Sequence, residues 1–294
     1  MQVASFINFL APYKILIEEH IRSHLDTFGQ QTNLKEACTY ALMNGGKRFR
    51  PALVFLIANA LGHQADVTQA ALGVEFFHTA SLIADDLPCM DNDDERRNKP
   101  TLHKVYGETT ALLATYALIA AGYACLARNG QVIKNSSLPF ASKSDELCVL
   151  ALENVAHNTG ILGATGGQFL DINPTNLSLE TLEEIIFKKT VSLFEISFVL
   201  GWVFGGGNLA QLPLVKKSAK HFGLAFQIVD DIEDMNQDLK NQRFINVANQ
   251  YGLEKAKQLL EQEVQAFKET LSQLNIHSQE LITLLESVAT KSIS

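Results

Sequence analysis

The sequence predicts an all-α fold. Apolar residues make up 47% of the 294 residues, which is enough for a sizeable hydrophobic core and argues against a disordered chain. They recur three and four residues apart, the spacing that places side chains on one face of a helix. No segment alternates apolar and polar residues as a half-buried strand would, and no internal repeat is visible. We therefore expect one large helical domain over residues 1–294.

In the first third of the chain, each predicted helix has a recognisable end. The expected helices cover about 3–25, 34–43, 47–61 and 67–84. Gly29, Gly45 with Gly46, and Gly62 follow the first three, because glycine readily takes the backbone conformation that ends a helix. The fourth helix ends in a run of acidic residues before Pro88, which lacks the backbone N–H that a helix interior requires.

The remaining two thirds also show helical spacing. The expected helices are about 109–127, 145–170 with glycine interruptions, one from Ser178 onward, 210–235, and two between 253 and 291. Glutamates in the first turns after Ser178 suit the positive end of the helix dipole. The polar stretch 128–144 contains Asn, Ser, Gly and Pro, so we expect it to be a long and mobile loop.

Charge and cysteine usage exclude several classes of function. The net charge of −8 argues against general nucleic-acid binding, which needs a basic surface. The four cysteines show neither metal-site nor disulfide spacing, so we interpret them as reduced thiols in a cytoplasmic protein. No targeting segment is recognisable at the N-terminus. No apolar run reaches the roughly 18–20 residues of a membrane span, the richest candidate being 111–127.

An acidic stretch follows the fourth helix. It begins at Asp85 and Asp86, continues through Asp91, and ends with Arg96 and Arg97. Carboxylates this close repel one another unless a cation lies among them. Oxygen ligands without neighbouring cysteine or histidine pairs favour Mg²⁺ over zinc, and Mg²⁺ commonly completes its coordination with water and substrate phosphates. The arginines are suited to the same phosphates.

A second acidic cluster ends the predicted helix 210–235. Asp230 and Asp234 are four residues apart and share one helix face, with Asp231 beside them. Taken alone, the cluster is also typical of a solvated helix end. The insertion of Pro88 and Cys89 in the first cluster brings Asp91 back toward Asp85, so that the two clusters match. Together they predict paired metal sites that face each other across a helical bundle.

A cationic segment and a histidine complete the set of candidate site residues. Gly46 and Lys47 precede Arg50 at the start of the third helix, where backbone N–H groups and the helix dipole favour an anion. His78 is seven residues before Asp85, two turns away on the same helix face. An ordinary basic helix start and a core histidine are the alternative interpretations of these residues.

Three motifs in this order resemble those of the trans-prenyltransferases, the isoprenyl diphosphate (polyprenyl) synthases. They are Gly-Gly-Lys-Arg-Phe-Arg-Pro at 45–51, Asp-Asp-Leu-Pro-Cys-Met-Asp-Asn-Asp-Asp-x-Arg-Arg at 85–97, and Phe-Gln-Ile-Val-Asp-Asp-Ile-x-Asp at 226–234. The likeness runs from about residue 34 to 235. It implies an all-α bundle around a deep central cavity, usually in a homodimer. The implied reaction joins isopentenyl diphosphate to an allylic diphosphate, with three Mg²⁺ ions when substrate is bound.

The resemblance also implies a role for each matching residue. The metal ligands would be Asp85, Asp86 and Asp91 on one side and Asp230, Asp231 and Asp234 on the other. Isopentenyl diphosphate would bind to Gly46, Lys47, Arg50, His78 and Arg97, and Arg96 would contact the allylic diphosphate. Lys189, Thr190 and Gln227 would lie at the allylic substrate, with Asp85, Asp86, Asp230 and Lys189 serving catalysis. Gln168 and Asp171 resemble a supporting motif near the same cavity.

The residues before the first acidic cluster bear on product length. Ala80 and Ser81 occupy the positions at which, in this family, a bulky aromatic residue stops growth at the fifteen-carbon farnesyl stage. Both are small here, and the acidic stretch resembles that of plant and bacterial geranylgeranyl diphosphate synthases. We therefore predict geranylgeranyl diphosphate as the product. Farnesyl diphosphate is the alternative, because Phe76, Phe77 or a residue of the helix after Thr109 could close the tail pocket.

The chain departs from the family pattern at three places. Asn98 replaces the usual Gly after the two arginines, and Ala84 replaces a frequent His. The segment 235–243 lacks the usual Gly-Lys-rich sequence, so Lys240 or Arg243 would have to supply the missing cation. A non-catalytic subunit of another prenyltransferase and a terpene cyclase are alternative functions. Intact acidic clusters argue against the first, and an isopentenyl diphosphate site argues against the second.

Overall fold

The structure is a computed structural model that describes residues 2–174, 176, 178–240 and 246–289, without the side chains of residues 2–9, 179 and 240. Within these ranges the helices are α1 (Gln2–Leu25), α2 (Asn33–Leu42), α3 (Phe49–Ala60), α4 (Thr68–Asp85), α5 (Leu102–Tyr106), α6 (Glu108–Lys134), α7 (Ser144–Thr159), α8 (Ala164–Ile172), α9 (Leu179–Ile186), α10 (Ser192–Phe204), α11 (Leu212–Glu233), α12 (Met235–Lys240), α13 (Val247–Tyr251), α14 (Leu253–Gln273) and α15 (Gln279–Ala289). The all-α prediction is confirmed.

The described residues also contain one short antiparallel hairpin, which the sequence pattern did not reveal. Strand β1 (Glu95–Arg96) pairs with β2 (Lys99–Pro100). Arg97 and Asn98 form the two-residue turn and have φ values of 57° and 61°. Two positive φ angles are typical of the tight turn that joins two antiparallel strands, and Asn tolerates them better than most residues. Asn98 can therefore serve where Gly is usual.

The predicted loop 128–144 is wrong over its first half, because α6 continues to Lys134. The polar residues there make contacts within the bundle. Asn129 is fully buried; its Oδ1 accepts from the backbone N–H of Ala70 at 2.9 Å, and its Nδ2 donates to the carbonyl of Asp66 at 3.3 Å. Asn is common in loops, but the side chain of Asn129 lies inside the bundle, where it bonds backbone groups at the start of the neighbouring helix α4.

Helix α10 is the centre of the bundle. All its residues are buried, and it packs against α3, α4, α7 and α11. A helix that is apolar all round belongs in a core. One hydrophobic cluster extends from Leu10 to Ala289 through the described helices, which supports the interpretation that residues 1–294 form one domain. That division remains a prediction.

Helix α6 packs along α4 and is longer than the sequence pattern predicted. In the described part of the chain it alone is long and apolar enough to cross a membrane, and 39% of its most apolar window is buried in the protein. Helices in the core of a bundle have the same length and composition, so this property does not distinguish a membrane span from a packed helix.

Candidate active site

The first acidic cluster forms where α4 ends. Pro88 prevents the helix from continuing, and the chain turns back on itself. The backbone N–H of Asp91 donates to the carbonyl oxygen of Asp85 at 2.9 Å, and that of Asn92 donates to the carbonyl of Leu87 at 3.1 Å. The predicted return of Asp91 toward Asp85 is therefore confirmed.

Asp86 and Arg96 form an ion pair with each other. Arg96 Nε lies 2.7 and 2.9 Å from the two carboxylate oxygens of Asp86, and Nη2 lies 2.5 Å from Oδ1. Burial raises the pKa of Asp86, and the bond to Arg96 only partly offsets this. These two residues were predicted as a metal ligand and an allylic diphosphate contact. In the metal-free protein each neutralises the other.

The second acidic cluster ends α11 as predicted. The backbone N–H of Asp234 donates to the carbonyl of Asp230 at 2.9 Å, one helical turn away. Both residues line a cavity of about 530 Å³ that is also lined by Asp91 of the first cluster. The structure thus brings Asp91 to the cavity of the second cluster, whereas Asp85 and Asp86 are not among the described residues that line it.

Asp231 has a different environment. It is 3% exposed, and its two carboxylate oxygens accept hydrogen bonds from Gln227 Nε2 and from the backbone N–H of Val247, each at 2.8 Å. Burial raises its pKa to about 6, and the bonds from Gln227 and Val247 limit the rise.

A π-helical turn, Phe187–Val191, supplies Lys189 and Thr190 to the same cavity. Turns of this kind are rare and often mark functional sites. Lys189 forms an ion pair with Asp171 of α8. Burial lowers the pKa of Lys189, but Asp171 and Asp85 more than offset this, so the net pKa is raised and the amine stays charged. Gly167 allows the close packing, because a Cβ there would lie 2.4 Å from the backbone nitrogen of Lys189.

The predicted anion site forms a second cavity of about 730 Å³ at the start of α3, lined by Gly46, Lys47, Arg50, His78 and Arg97 among others. Arg97 Nη1 donates to the carbonyl of Gly45 at 2.5 Å. Gly46 has a φ of 118°, and a Cβ on it would lie 2.6 Å from Arg97 Nη1. Only glycine meets both conditions.

Arg50 and His78 lie side by side in this cavity, with Arg50 Nη1 3.4 Å from His78 Nε2. The guanidinium carbon of Arg50 stands 4.6 Å from the ring centre of Phe194. Burial, followed by the neighbouring arginines, lowers the pKa of His78 well below its usual value. His78 is therefore neutral near pH 7 and can donate or accept a hydrogen bond without adding charge.

Glu75 and Arg48 form a buried ion pair that the sequence analysis missed. Both are almost fully buried, at 2% and 3% exposure, and Arg48 also donates to the carbonyl of Leu42. Arg48 has a φ of 52°, so the pair holds the loop before α3 in an uncommon backbone conformation. The available signal was Glu75 itself, a single acid within an otherwise apolar helix one turn before His78.

Lys47 connects the two cavities electrostatically. Burial raises the pKa of Asp230 to about 7, the Lys47 ammonium opposes that rise, and Glu233 and Asp234 add to it. Burial likewise raises the pKa of Asp85 to about 6, with Lys189 opposing and Asp91 adding to the effect. The negative charge of the metal-free clusters is therefore only partly compensated.

The described carboxylates suit a cation that also needs ligands from a substrate. No three Asp, Glu, His or Cys side chains within the described ranges are close enough to hold an ion by themselves. Carboxylate oxygens from several elements around one cavity, together with the Lys189 ammonium, match the way Mg²⁺ is shared between carboxylates and phosphates.

The remaining predicted residues are not shown to take part in the two cavities. Ala80 is buried in the core, and Ser81 donates to the carbonyl of His78 at 2.9 Å; neither is among the described residues that line the two cavities. Both amide atoms of Gln168 are buried without a partner among the described groups. The side chain of Lys240, and Arg243 as a whole, lie outside the described residues.

Comparison with known proteins gives consistent results. A family model described as polyprenyl synthetase matches residues 31–243. Geranylgeranyl pyrophosphate synthase 3, chloroplastic, of Arabidopsis thaliana is 40% identical over 234 residues, covering 76% of this chain and 62% of the relative. The chloroplastic synthase of Capsicum annuum is 43% identical over 208 residues, covering 69% and 54%.

Two further matches concern assembly and fold. The heterodimeric geranylgeranyl pyrophosphate synthase large subunit 2 of Arabidopsis thaliana is 39% identical, covering 79% of this chain and 61% of the relative. The chain thus spans less than two thirds of the length of each of these relatives. The crystal structure of a geranyltransferase from Legionella pneumophila matches over 100% of both chains, with a TM-score of 0.85 and 26% identity.

The cytoplasmic location predicted from the sequence is contradicted. Two of the similar synthases are named chloroplastic, and this finding overturns the prediction. The prediction rested on unpaired cysteines, and free thiols are expected in any reducing compartment. Cysteine usage therefore separates reducing from oxidising surroundings but does not identify the organelle.

Replacing Glu75 by Gln should strongly destabilise the protein, because the buried Arg48 would lose its close, buried countercharge and keep only the more exposed Glu18 nearby. Breaking a buried ion pair costs about 3–5 kcal/mol in the free energy of unfolding. Glu18 provides a matched control, since it lies 3.7 Å from Arg48 Nε and is more exposed. Glu18→Gln should cost no more than about 1 kcal/mol. Urea denaturation of both variants measures the difference, and equal losses would contradict the assignment.

The stability of the metal-free protein should fall as the pH rises. The raised pKa values of Asp85 and Asp230, about 6 and about 7, mean that the folded state holds these protons more tightly than the unfolded state. Their contribution is complete below pH about 4 and is lost as the pH passes through 6 and 7. Thermal unfolding in EDTA from pH 5 to 8 measures this, and Asp230→Asn should flatten the decline. A decline as steep as that of the wild type would refute the role of Asp230.

Proposed function

Because the chain belongs to the polyprenyl synthetase family, we propose that it is a Mg²⁺-dependent trans-prenyltransferase that condenses isopentenyl diphosphate with an allylic diphosphate (dimethylallyl, geranyl or farnesyl). The observation that carries this proposal is a pair of cavities with complementary charge. One is lined by carboxylates from several elements, the other by cations at a helix start, and Lys47 of the second lowers the pKa of Asp230 in the first.

In this proposal the two cavities bind the two diphosphates. Gly46, Lys47, Arg50 and Arg97 bind the diphosphate of isopentenyl diphosphate, with neutral His78 as an uncharged partner. Lys189 lies in the carboxylate cavity, where its charge favours the departure of the allylic diphosphate. Mg²⁺, when bound between the carboxylates and that diphosphate, supplies charge stabilisation to the leaving group.

Aromatic side chains at the anion cavity give the reaction its dry surroundings. Phe226 lines the anion cavity, and its ring packs against Phe49 and Phe194 with centroids 5.3 and 5.1 Å away. Loss of the allylic diphosphate leaves an allylic cation, which water would capture. Aromatic side chains keep water out, so the double bond of isopentenyl diphosphate attacks instead, and a proton then leaves to the released diphosphate.

We propose geranylgeranyl diphosphate as the product. The small side chains at Ala80 and Ser81 support this, as do relatives at about 40% identity that are named geranylgeranyl pyrophosphate synthases. Farnesyl diphosphate remains the alternative. Phe77 is on the face of α4 that carries Ala80, and its ring packs against Tyr123 of α6 with centroids 5.1 Å apart, a position from which it could close the pocket.

A homodimer is the assembly we propose. Apolar side chains project from α6 and α7 without cover in the single chain; Leu113, Tyr116 and Val149 are 47%, 59% and 54% exposed. An exposed apolar face of this kind is typical of an interface. The match to a heterodimeric large subunit is the reason to keep a second, different chain as the alternative partner. The intact acidic clusters still disfavour a non-catalytic subunit.

The central test is incubation of the purified protein with Mg²⁺, isopentenyl diphosphate and each allylic primer, followed by measurement of product chain length. We expect elongation, and a loss of about 10³-fold or more in kcat for Asp230→Ala, because a metal ligand would be removed. Circular dichroism should show that the variant is folded. If no primer is elongated, the subunit interpretation is favoured.

The residues before Asp85 provide a test of product length. A tyrosine side chain at position 80 should fill the space beyond the growing tail, so Ala80→Tyr should shorten the main product by one five-carbon unit while elongation continues. Ala80→Val is the matched control with a smaller added volume and should shift the product distribution less. An unchanged chain length in Ala80→Tyr would show that the tail runs elsewhere.

A further inference from the structure

Asp231 lines the same cavity as Asp230 and Asp234, but its carboxylate is more buried and is hydrogen-bonded to the protein on both oxygens. Asp230 is partly exposed and Asp234 is exposed, whereas Asp231 is 3% exposed. Its two carboxylate oxygens face two different elements, the side chain of Gln227 on its own helix and the first N–H of α13. A carboxylate that already accepts a hydrogen bond from the protein on each oxygen has fewer lone pairs left for an ion in the cavity.

The contact with Gln227 continues to the wall of the cavity. Thr190 Oγ1 donates to Gln227 Oε1 at 2.8 Å, and Gln227 Nε2 donates to Asp231 Oδ1 at 2.8 Å. An ionised carboxylate only accepts hydrogen bonds, so the amide nitrogen of Gln227 must face Asp231 and its oxygen must face Thr190. The single hydroxyl proton of Thr190 is thereby directed toward Gln227. Asp231 thus determines the direction of both hydrogen bonds that link it to Gln227 and Thr190.

On its other side, Asp231 is bonded to the start of α13. Val247 N–H donates to Asp231 Oδ2 at 2.8 Å, and Asn246 Nδ2 donates both to the carbonyl of Asp231 and to Asp238 Oδ2, each at 2.8 Å. Asn249 Nδ2 also donates to the carbonyl of Met235 at 3.0 Å. The start of α13 is therefore attached to α11 and α12 at several points, and these bonds hold the Val247 N–H beside Asp231 Oδ2.

We propose that Asp231 is a positioning residue, not a metal ligand, and that it sets the orientation of the Gln227 amide and, through it, the Thr190 hydroxyl at the allylic diphosphate. The cation would then be held by Asp230 and Asp234 from α11. This inference rests on the proposed prenyl transfer for its meaning in catalysis, but the hydrogen-bonded chain itself does not depend on that activity.

An exchange of side chains separates the two roles. In Asp231→Asn, the new amide oxygen must accept from Val247, so the new NH₂ group opposes the NH₂ group of Gln227. Gln227 must then flip and present a donor to Thr190. Adding Gln227→Glu restores an acceptor both for the new amide and for Thr190, and it returns the net charge to that of the wild type. Gln227→Glu alone places two carboxylates against each other and should destabilise the protein.

The expected pattern is recovery in the double variant. Asp231→Asn should lower kcat about tenfold while leaving the half-saturating Mg²⁺ concentration within about twofold, and the double variant should regain kcat to within about threefold of the wild type. The melting temperature should follow the same order, with both single variants below the double variant. Asp234→Asn is the control; it should raise the half-saturating Mg²⁺ concentration about tenfold or more, and Gln227→Glu should not rescue it.

Three results would overturn the proposal. They are a rise in half-saturating Mg²⁺ for Asp231→Asn comparable to that for Asp234→Asn, an unchanged kcat in Asp231→Asn, and a double variant no better than its single variants in melting temperature. Failure of the wild-type protein to elongate any primer would instead refute the proposed function. The melting temperatures would still test the hydrogen-bonded chain in that case, so the two failures are distinguishable.

Discussion

The structure depends on one electrostatic constraint, the presence of carboxylates at the ends of two helices within an apolar bundle. Asp85 ends α4, Asp230 lies in the last turn of α11, and burial raises the pKa of both. A low-dielectric surrounding makes such groups costly unless positive charge approaches them. The cations nearest to them are Lys189 and Lys47, which come from separate elements. The two lysines compensate the negative charge of the carboxylates only in part. A metal ion bound together with a diphosphate would complete the compensation.

The protein handles its interior charges in two different ways. Glu75 and Arg48 are almost fully buried at the wall of the anion cavity and are paired with each other, and Arg48 has a left-handed backbone conformation. A buried ion pair adds little net stability by itself. This pair instead fixes the loop that carries the two glycines and Lys47. Asp230 and Lys47, in contrast, line the two cavities, where their charges can interact with a ligand. The first kind of charge builds the site, and the second kind is available to a ligand.

Backbone irregularities occur at the same places as the proposed chemistry. The π-helical turn Phe187–Val191 interrupts the path from α9 to α10 and turns Lys189 and Thr190 toward the carboxylate cavity. Pro88 ends α4 so that Asp91 returns to Asp85. The hairpin turn at Arg97 brings its guanidinium against Gly45. Regular helices provide the rigid frame, and each departure from regularity positions one or two polar side chains.

The sequence by itself determined the helical class, the position of most helices, and the residues that carry charge to the cavities, because apolar spacing and paired acidic motifs are local patterns. It also indicated the turn of Asp91, since proline removes a specific N–H. It could not assign Glu75 to Arg48, nor separate Asp231 from Asp230. Adjacent residues on a helix differ by about 100° in direction, so their surroundings depend on which helices pack against each side. Only the tertiary structure decided that α13 lies against Asp231 and donates to its carboxylate, although Asp230 and Asp231 both line the cavity.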